Sequence, residues 1–231
     1  MTVLTWNLFH GRSVPPAGRD LSDEFARMLA GWRWDVALLQ EVPPWWAEPL
    51  ARACDAEQRR ALTSRNALPA LRRLVAERHP DAIKSNGGGA NAVLTRGAIA
   101  EHAALRLRTW PERRVAQLVR LGCGTTVVNH HGSARVPLAE DELRRLWVAA
   151  LAFARGGPLV LGGDLNLREP RPAGGAEHVA WRDVDHLFAL GLHACGEAQR
   201  LAREVRVEAG RVQLSDHLPL AVTLRPGTPT P

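Results

Sequence analysis

Apolar residues in this chain fall into short continuous runs in some stretches and recur at spacings of three and four in others. Val3 to Leu8 reads as a strand, and Val36-Ala37-Leu38-Leu39 as a buried one, because both faces are apolar. The polar, Pro-containing stretch Arg12 to Gly18 between them reads as a loop. Phe25, Met28, Leu29 and Trp32 recur at i, i+3, i+4 and i+7, one face of a helix, and Asp20 or Ser22 is placed to cap it. Pro43-Pro44 ends the second strand and suits the first turn of a second helix. A third helix is predicted from about Ala67 to His79, with Leu68, Leu71, Leu74 and Val75 facing inward. Gly87-Gly88-Gly89 marks a turn before a strand over Asn91 to Thr95. Strands follow over Ile99–Leu107, Arg114–Leu121 and Thr125–Asn129. The strongest helical stripe is Leu143, Leu146, Trp147, Ala150, Leu151 and Ala154, within a helix over Leu138 to Ala154. Gly156-Gly157-Pro158 ends it, and Leu159-Val160-Leu161 is another buried strand. Arg168 to Ala176 reads as a Pro/Gly loop, and further strands fit Val184–Leu190, Glu204–Val207 and Leu218–Leu224.

Strands with helices between them predict an α/β fold packed in layers. Periodicity leaves a parallel sheet and two packed mixed sheets both open. A length of 231 residues suits one large domain, expected over residues 1–225, with residues 226–231 as a disordered tail. Hydrophobic content of 45% and charged content of 23% are ordinary for a globular chain. No stretch approaches the roughly 18 apolar residues that span a bilayer, so membrane insertion is not expected. The N-terminus already reads as a strand, and three scattered cysteines, Cys54, Cys123 and Cys195, fit a reducing compartment; a cytoplasmic protein is expected.

The net charge of +6 and a pI near 10.7 permit a polyanionic partner, nucleic acid or another phosphorylated ligand. They do not identify one. Lys84 is the sole lysine, and abundant Ala, Gly, Pro and Arg point to a GC-rich coding bias that contributes part of the basicity. A monomer is expected.

The polar residues that end apolar strands say more. Asn7 ends the first strand, Glu41 closes Leu38-Leu39-Gln40-Glu41, and Asp164 and Asn166 close Leu161-Gly162-Gly163-Asp164-Leu165-Asn166. Asp216 and His217 precede the last strand. Such residues converge on one rim of a sheet, and their oxygen atoms are the donors that Mg²⁺ takes alongside water and phosphate.

In order along the chain, Thr5-Trp6-Asn7, Leu39-Gln40-Glu41, Asn129-His130-His131, Gly163-Asp164-Leu165-Asn166 and Ser215-Asp216-His217 resemble the five motifs of the endonuclease/exonuclease/phosphatase superfamily. Asn91-Ala92-Val93-Leu94-Thr95-Arg96 and Val184-Asp185-His186-Leu187-Phe188 are weaker matches to two more. Together they run from Thr5 to Pro219; any one triplet arises by chance, but five in order do not. The resemblance implies a four-layered α/β sandwich of two packed mixed sheets flanked by helices. It implies hydrolysis of phosphodiester bonds with Mg²⁺, Mn²⁺ being the substitute ion. Carried over by position, Glu41 would hold the metal with Asp216 and Asn7 near it. Asp164 would orient or deprotonate the attacking water, and Asn166 would hold the phosphate. Asp185 would orient His217, which donates to a phosphoryl oxygen or moves a proton, and His131 would sit beside the scissile phosphate.

Plainer readings stand for other residues. His130 is expected on the opposite face of its strand from His131. His10, in the loop beyond Leu8, is within reach of the site but reads first as a solvated histidine; His186 reads as packing; Arg113 and Arg114 stand where the family often has a phosphate-contacting Arg but read first as strand-surface arginines. Most of the eight tryptophans read as core. Phe9 stands where several DNA-repair members of the family carry an Asp, which leaves fewer carboxylates for metal. The stretch from Asn166 to Asp185 is short for a protein that grips duplex DNA. A nuclease acting on DNA or RNA is the first expectation. A phosphatase or phosphodiesterase of a small phosphorylated molecule or lipid headgroup is the second, and a catalytically silent binding domain the third.

Overall fold

The structure, a computed structural model, describes residues 1–64, 66–81, 89–208 and 210–227. The described chain runs through β1 (Thr2–Asn7), β2 (Ser13–Val14), α1 (Ser22–Gly31), β3 (Val36–Val42), α2 (Ala47–Ala53), β4 (Glu57–Leu62), α3 (Pro69–Arg78) and β5 (Ala90–Thr95). Then come β6 (Ile99–Arg108), β7 (Arg114–Leu121), β8 (Thr126–His131), α4 (Val136–Ala154), β9 (Leu159–Asp164) and β10 (Glu177–Arg182). The last elements are β11 (Asp185–Leu190), β12 (Leu192–Ala194), β13 (Gln199–Arg200), β14 (Glu204–Val207), β15 (Gly210–Leu214) and β16 (Leu220–Pro226).

Two mixed sheets form the centre. One orders its strands β12-β16-β1-β3-β5-β4, with β13 also on β16, and the other β10-β11-β9-β8-β7-β6. Only β1–β3 and β8–β9 are parallel among these described pairs. Strand alternation sets the layers. Val3, Val36, Leu38, Val93, Val127, Val160 and Leu187 pack between the sheets. Leu4, Trp6, Ala37 and Leu39 face the other way, onto Phe25 and Leu29 of α1 and Leu50 of α2. On the far side Val128, Leu161 and Phe188 meet Leu143, Leu146 and Trp147 of α4. The result is helix, sheet, sheet, helix, the expected four-layered α/β sandwich. Each fully buried leucine of the α4 stripe contributes roughly 2 kcal/mol.

Trp6, Trp34, Trp46 and Trp147 are core, as expected, with Trp6 against Phe25 at a ring separation of 5.1 Å. Trp110 and Trp181 are exposed. The N-cap of α1 is Leu21, which makes no side-chain cap hydrogen bond, so neither Asp20 nor Ser22 is the cap; Asp20 Oδ1, one residue earlier, accepts the Ser22 N–H at 2.9 Å.

Several expectations need correction. The second helix begins at Ala47, because Pro44 to Trp46 form a turn first. Leu68, Leu71 and Leu74 are exposed by 70%, 55% and 47%, so the predicted inward face of α3 is not inward; among its described residues only Ala76 is buried. The helix follows the edge strand β4 and contributes no residue to the three buried clusters. Strands β2, β4, β10, β12, β13 and β15 were not legible: β4 and β10 are polar edge strands of the two large sheets, and β2 and β13 are two residues long. Of the expected tail, Pro226 pairs with Leu192 as the last residue of β16, and 228–231 lie outside the described residues, as do Gly87 and Gly88 of the predicted turn. No described helix is long and apolar enough to cross a membrane.

Candidate active site

Strand register builds the site. In the second sheet His131 of β8 pairs with Asp164 of β9, and Asp164 pairs with Asp185 of β11, so three polar side chains share one row. In the first sheet Asn7 of β1 pairs with Gln40 of β3. The two rims join where Asn7 Nδ2 donates to Asp164 Oδ2 at 2.9 Å. Glu41 follows Gln40 with φ of 49°, at an irregularity in the β3–β5 ladder between Leu39 and Val42. That left-handed backbone is costly for a glutamate, and it lets Glu41 line the same cleft as Asp164.

A small three-stranded sheet, β14-β15-β2, brings in the remaining residues. Ser13 of β2 pairs with Leu214 of β15, and the Ser215 N–H donates to the Arg12 carbonyl at 2.9 Å. Ser215 Oγ then donates to the Asn7 carbonyl at 2.6 Å and accepts the His217 N–H at 3.0 Å. Asp216 and His217 are thereby tied to the end of β1. The Trp6 indole N–H holds the His217 carbonyl at 3.1 Å.

Below the cleft lies a buried amide network that crosses from sheet to sheet. Gln40 Nε2 donates to Asn129 Oδ1 at 2.8 Å and to Thr5 Oγ1 at 3.2 Å, and Asn129 Nδ2 donates to the Leu39 and Ala92 carbonyls. Gly163, at φ of 132°, lies against this floor; a Cβ there would collide with the His130 carbonyl.

Asn7, Glu41, His131, Asp164, Asn166, Asp216 and His217 all line one cleft, and Asp185 stands behind His217. Asn7 Oδ1 accepts the Phe9 N–H at 2.8 Å, so both ends of its amide are engaged and it positions Asp164. Asn166 donates its backbone N–H to Asp164 Oδ1 at 3.1 Å and its side-chain amide to the Gly132 carbonyl at 3.0 Å. His131 Nε2 lies 3.5 Å from Asp164 Oδ2 and 3.8 Å from Glu41 Oε1. His130 does face away, towards Glu142 on α4 at 3.6 Å, and His186 does pack, stacking beside Phe188.

Two plainer readings fail. His10 is 8% exposed, not solvated, and its Nε2 is 3.2 Å from Glu41 Oε2. Arg114 is 7% exposed and lines the cleft with Glu112, to which it donates at 2.6 Å. Thr63 and Ser64 complete that wall. The signal for Arg114 was an arginine at the start of an apolar strand; for His10 it was only its nearness in sequence to Asn7, since a three-residue turn and the small sheet place it.

Burial and the neighbouring charges of Asp164 and Asp216 push the Glu41 carboxyl up to about 7, and burial with the charge of Asp185 pushes Asp164 up to about 6. Burial opposes charge on His217, but the hydrogen bond to Asp185 and the charges of Asp185, Asp164 and Asp216 outweigh it and raise it to about 9. Burial, with Arg114 nearby, holds His131 well below the ordinary histidine range and so neutral. Asp164, Asp185 and His217 place side-chain atoms within 4.8 Å of one another, but a protonated imidazole repels a cation, so the trio suits proton handling better than metal binding. Crowded, oxygen-bearing Glu41 and Asp216 fit a divalent cation: it would relieve the repulsion that raises Glu41, and hard cations take carboxylate oxygen.

The model of the Endonuclease/Exonuclease/phosphatase family matches residues 4–217. No curated protein matches the sequence. Among solved structures, an endonuclease/exonuclease/phosphatase from Beutenbergia cavernae DSM 12333 superimposes with a TM-score of 0.72 at 20% identity, over 98% of this chain and 72% of that one. A mannosyl-6-phosphatase from Bacteroides thetaiotaomicron gives 0.70 at 16% identity, over 97% and 99% of the two chains. Truncated TDP2 of Caenorhabditis elegans gives 0.70 at 16% identity, over 96% of each. At these identities the likeness speaks to the fold.

Proposed function

The chain belongs to the endonuclease/exonuclease/phosphatase family, and from that premise we propose that it is a divalent-metal-dependent hydrolase of phosphodiester bonds, acting on DNA or RNA. The observation that carries this reading is the joining of two sheet rims at Asp164, which takes hydrogen bonds from Asn7 and Asn166 while His217 Nε2 lies 3.8 Å away. A base and an acid are thus held side by side in one cleft, with separate carboxylates left over for a metal.

In this reading Asp164 receives the proton of the attacking water, its carboxyl raised to about 6 and so matched to work near neutral pH. Asn7 and the Asn166 N–H keep that carboxylate fixed. His217, kept protonated by Asp185, donates to a phosphoryl oxygen as charge builds on it. His131 and Asn166 face the phosphate, and the β8–α4 loop that follows His131 is tied to Asn166 through the Gly132 carbonyl. Glu41 and Asp216 would hold Mg²⁺ or Mn²⁺, with Asn7 alongside, and the ion would supply Lewis-acid stabilisation of the phosphoryl charge. All three cysteines are unpaired, which supports the proposed cytoplasmic setting, and a monomer is the proposed state.

A second reading, a phosphatase or phosphodiesterase of a small phosphorylated molecule or lipid headgroup, draws on Glu112. It puts an acid on the cleft wall beside Arg114, which disfavours a long polyanion lying along that side. The test is hydrolysis of bis-p-nitrophenyl phosphate, single-stranded DNA, RNA and a phosphomonoester in parallel, with Mg²⁺, Mn²⁺ or EDTA, comparing wild type with Asp164→Ala. Metal-dependent cleavage lost in the variant supports the reading, and the best substrate chooses between its two forms. No turnover by folded protein with either metal overturns it in favour of a silent domain.

A further inference from the structure

We propose that His10 is a nitrogen ligand of the metal in this cleft, and that it biases the site towards a first-row transition ion such as Mn²⁺ over Mg²⁺. The proposal rests on the metal-dependent reading above and specifies its metal site.

His10 sits in the 3-10 turn Phe9–Gly11 with φ of 54° and ψ of 29°, a left-handed conformation uncommon outside glycine, although histidine enters it more readily than most residues. The turn is held from every side. Asn7 Oδ1 takes the Phe9 N–H, the Leu8 carbonyl takes the Gly11 N–H at 2.8 Å, and the Phe9 carbonyl takes the Arg12 N–H at 3.1 Å. Gly11, at φ of 78°, presses on the Trp46 ring where a Cβ has no room. The Arg12 guanidinium covers the Phe9 ring at 4.2 Å. These constraints deliver the imidazole of His10 into a buried position with Nε2 3.2 Å from Glu41 Oε2.

That spacing suits a hydrogen bond, and it also lies near the edge length of a coordination octahedron. Two ligand atoms about 2.1 Å from one ion and at right angles to each other lie about 3.0 Å apart. His131 Nε2 approaches the other oxygen of the same carboxylate at 3.8 Å, so Glu41 stands between two ring nitrogens. Mg²⁺ takes oxygen ligands and keeps its waters, whereas imidazole nitrogen favours first-row transition ions. With Phe9 unable to supply a carboxylate, His10 is the neighbouring donor that the turn presents to Glu41.

The experiment uses the full chain at pH 8 with Mn²⁺ alone. Pulsed electron paramagnetic resonance of the Mn²⁺-loaded protein should show ¹⁴N coupling that becomes ¹⁵N coupling when histidine is ¹⁵N-labelled. The coupling should persist in His131→Ala and disappear in His10→Ala and His10→Gln. Calorimetric titration should give wild type a Kd for Mn²⁺ at least about tenfold below that for Mg²⁺, and His10→Gln should bring the two within about threefold. Bound Mn²⁺ without histidine coupling, or with coupling unchanged in folded His10→Gln, overturns the proposal and leaves the metal-dependent hydrolase standing. Failure of wild type to bind either ion overturns both.

Discussion

His217 Nδ1 donates a 2.8 Å hydrogen bond to Asp185 Oδ2, joining the loop after β15 to the first residue of β11. An ionised carboxylate can only accept, so this contact fixes which ring nitrogen carries the proton and turns Nε2 towards Asp164, 3.8 Å away. Asp185 is itself buried, and the imidazolium is the counter-charge that makes its burial tolerable.

Asp185→Asn should therefore move the alkaline limit of activity. In the proposed mechanism His217 works protonated, so activity should fall as pH rises through its raised value of about 9. Asn keeps an acceptor for Nδ1 but loses the charge, and the limb of kcat/KM against pH should move down by a unit or more. At pH 8 the loss should be roughly twofold for a shift of one unit and roughly tenfold for a shift of two. The stability that the pair contributes is present below the ordinary histidine range and lost as pH rises through about 9, so thermal melts above pH 9 should no longer separate variant from wild type.

Asn7→Ala should act on the opposite limb. Its amide stabilises the Asp164 carboxylate, and its removal raises Asp164 further above about 6. The acid limb of the kcat/KM profile should shift to higher pH with an unchanged far-ultraviolet circular dichroism spectrum. Asp164→Ala, which removes the proposed base, should cost on the order of 10²–10⁴ in kcat above pH 7, and the gap should narrow below pH 6, where the wild-type carboxyl is itself protonated.

Glu41→Gln should separate stability from function. In metal-free protein the folded state holds the Glu41 proton up to about 7, so between the ordinary carboxylate range and pH 7 stability falls as pH rises. Replacing the carboxylate removes a penalty on the order of 2 kcal/mol at pH 8. The metal-free melting temperature should rise by roughly 5 °C. Added Mn²⁺ should stabilise wild type and not the variant, as read by differential scanning calorimetry with and without EDTA.

Gln40→Leu should damage the floor and not the chemistry. It leaves Asn129 Oδ1 and Thr5 Oγ1 without the Gln40 donor in a buried place, at a cost of about 1–3 kcal/mol. Urea unfolding should show a lowered midpoint, and kcat of the protein that remains folded should stay within about tenfold of wild type.

Much of this molecule is legible along the chain because its elements are locally consistent. Runs such as Val36–Leu39 and Leu159–Leu161 have apolar residues on both faces, and only a strand covered on both sides satisfies them. The α4 stripe meets the sheet as read, with Leu143, Leu146, Trp147, Ala150 and Ala154 buried. Periodicity failed where environment, not pattern, decides. The leucines of α3 recur at helical spacing, yet Leu68, Leu71 and Leu74 are exposed because the helix lies outside the three clusters. The edge strand β4, Glu57–Leu62, has the opposite fault: a polar sequence that only its ladder to β5 makes a strand.

The sequence by itself determined the chemistry of the cleft: which carboxylates, amides and imidazoles end the apolar strands, and in what order. It did so because a strand end must leave the core, and polar residues placed there have few other positions to occupy. Tertiary structure alone decided how they are shared out. The parallel register of β8 and β9 set His131 beside Asp164, and the stacking of the two sheets brought Asn7 to Asp164 across their interface. A two-residue strand paired to β15 swung His10 onto Glu41. Those contacts join residues far apart in the chain, and no local periodicity encodes them, because register and packing are set by the whole core at once.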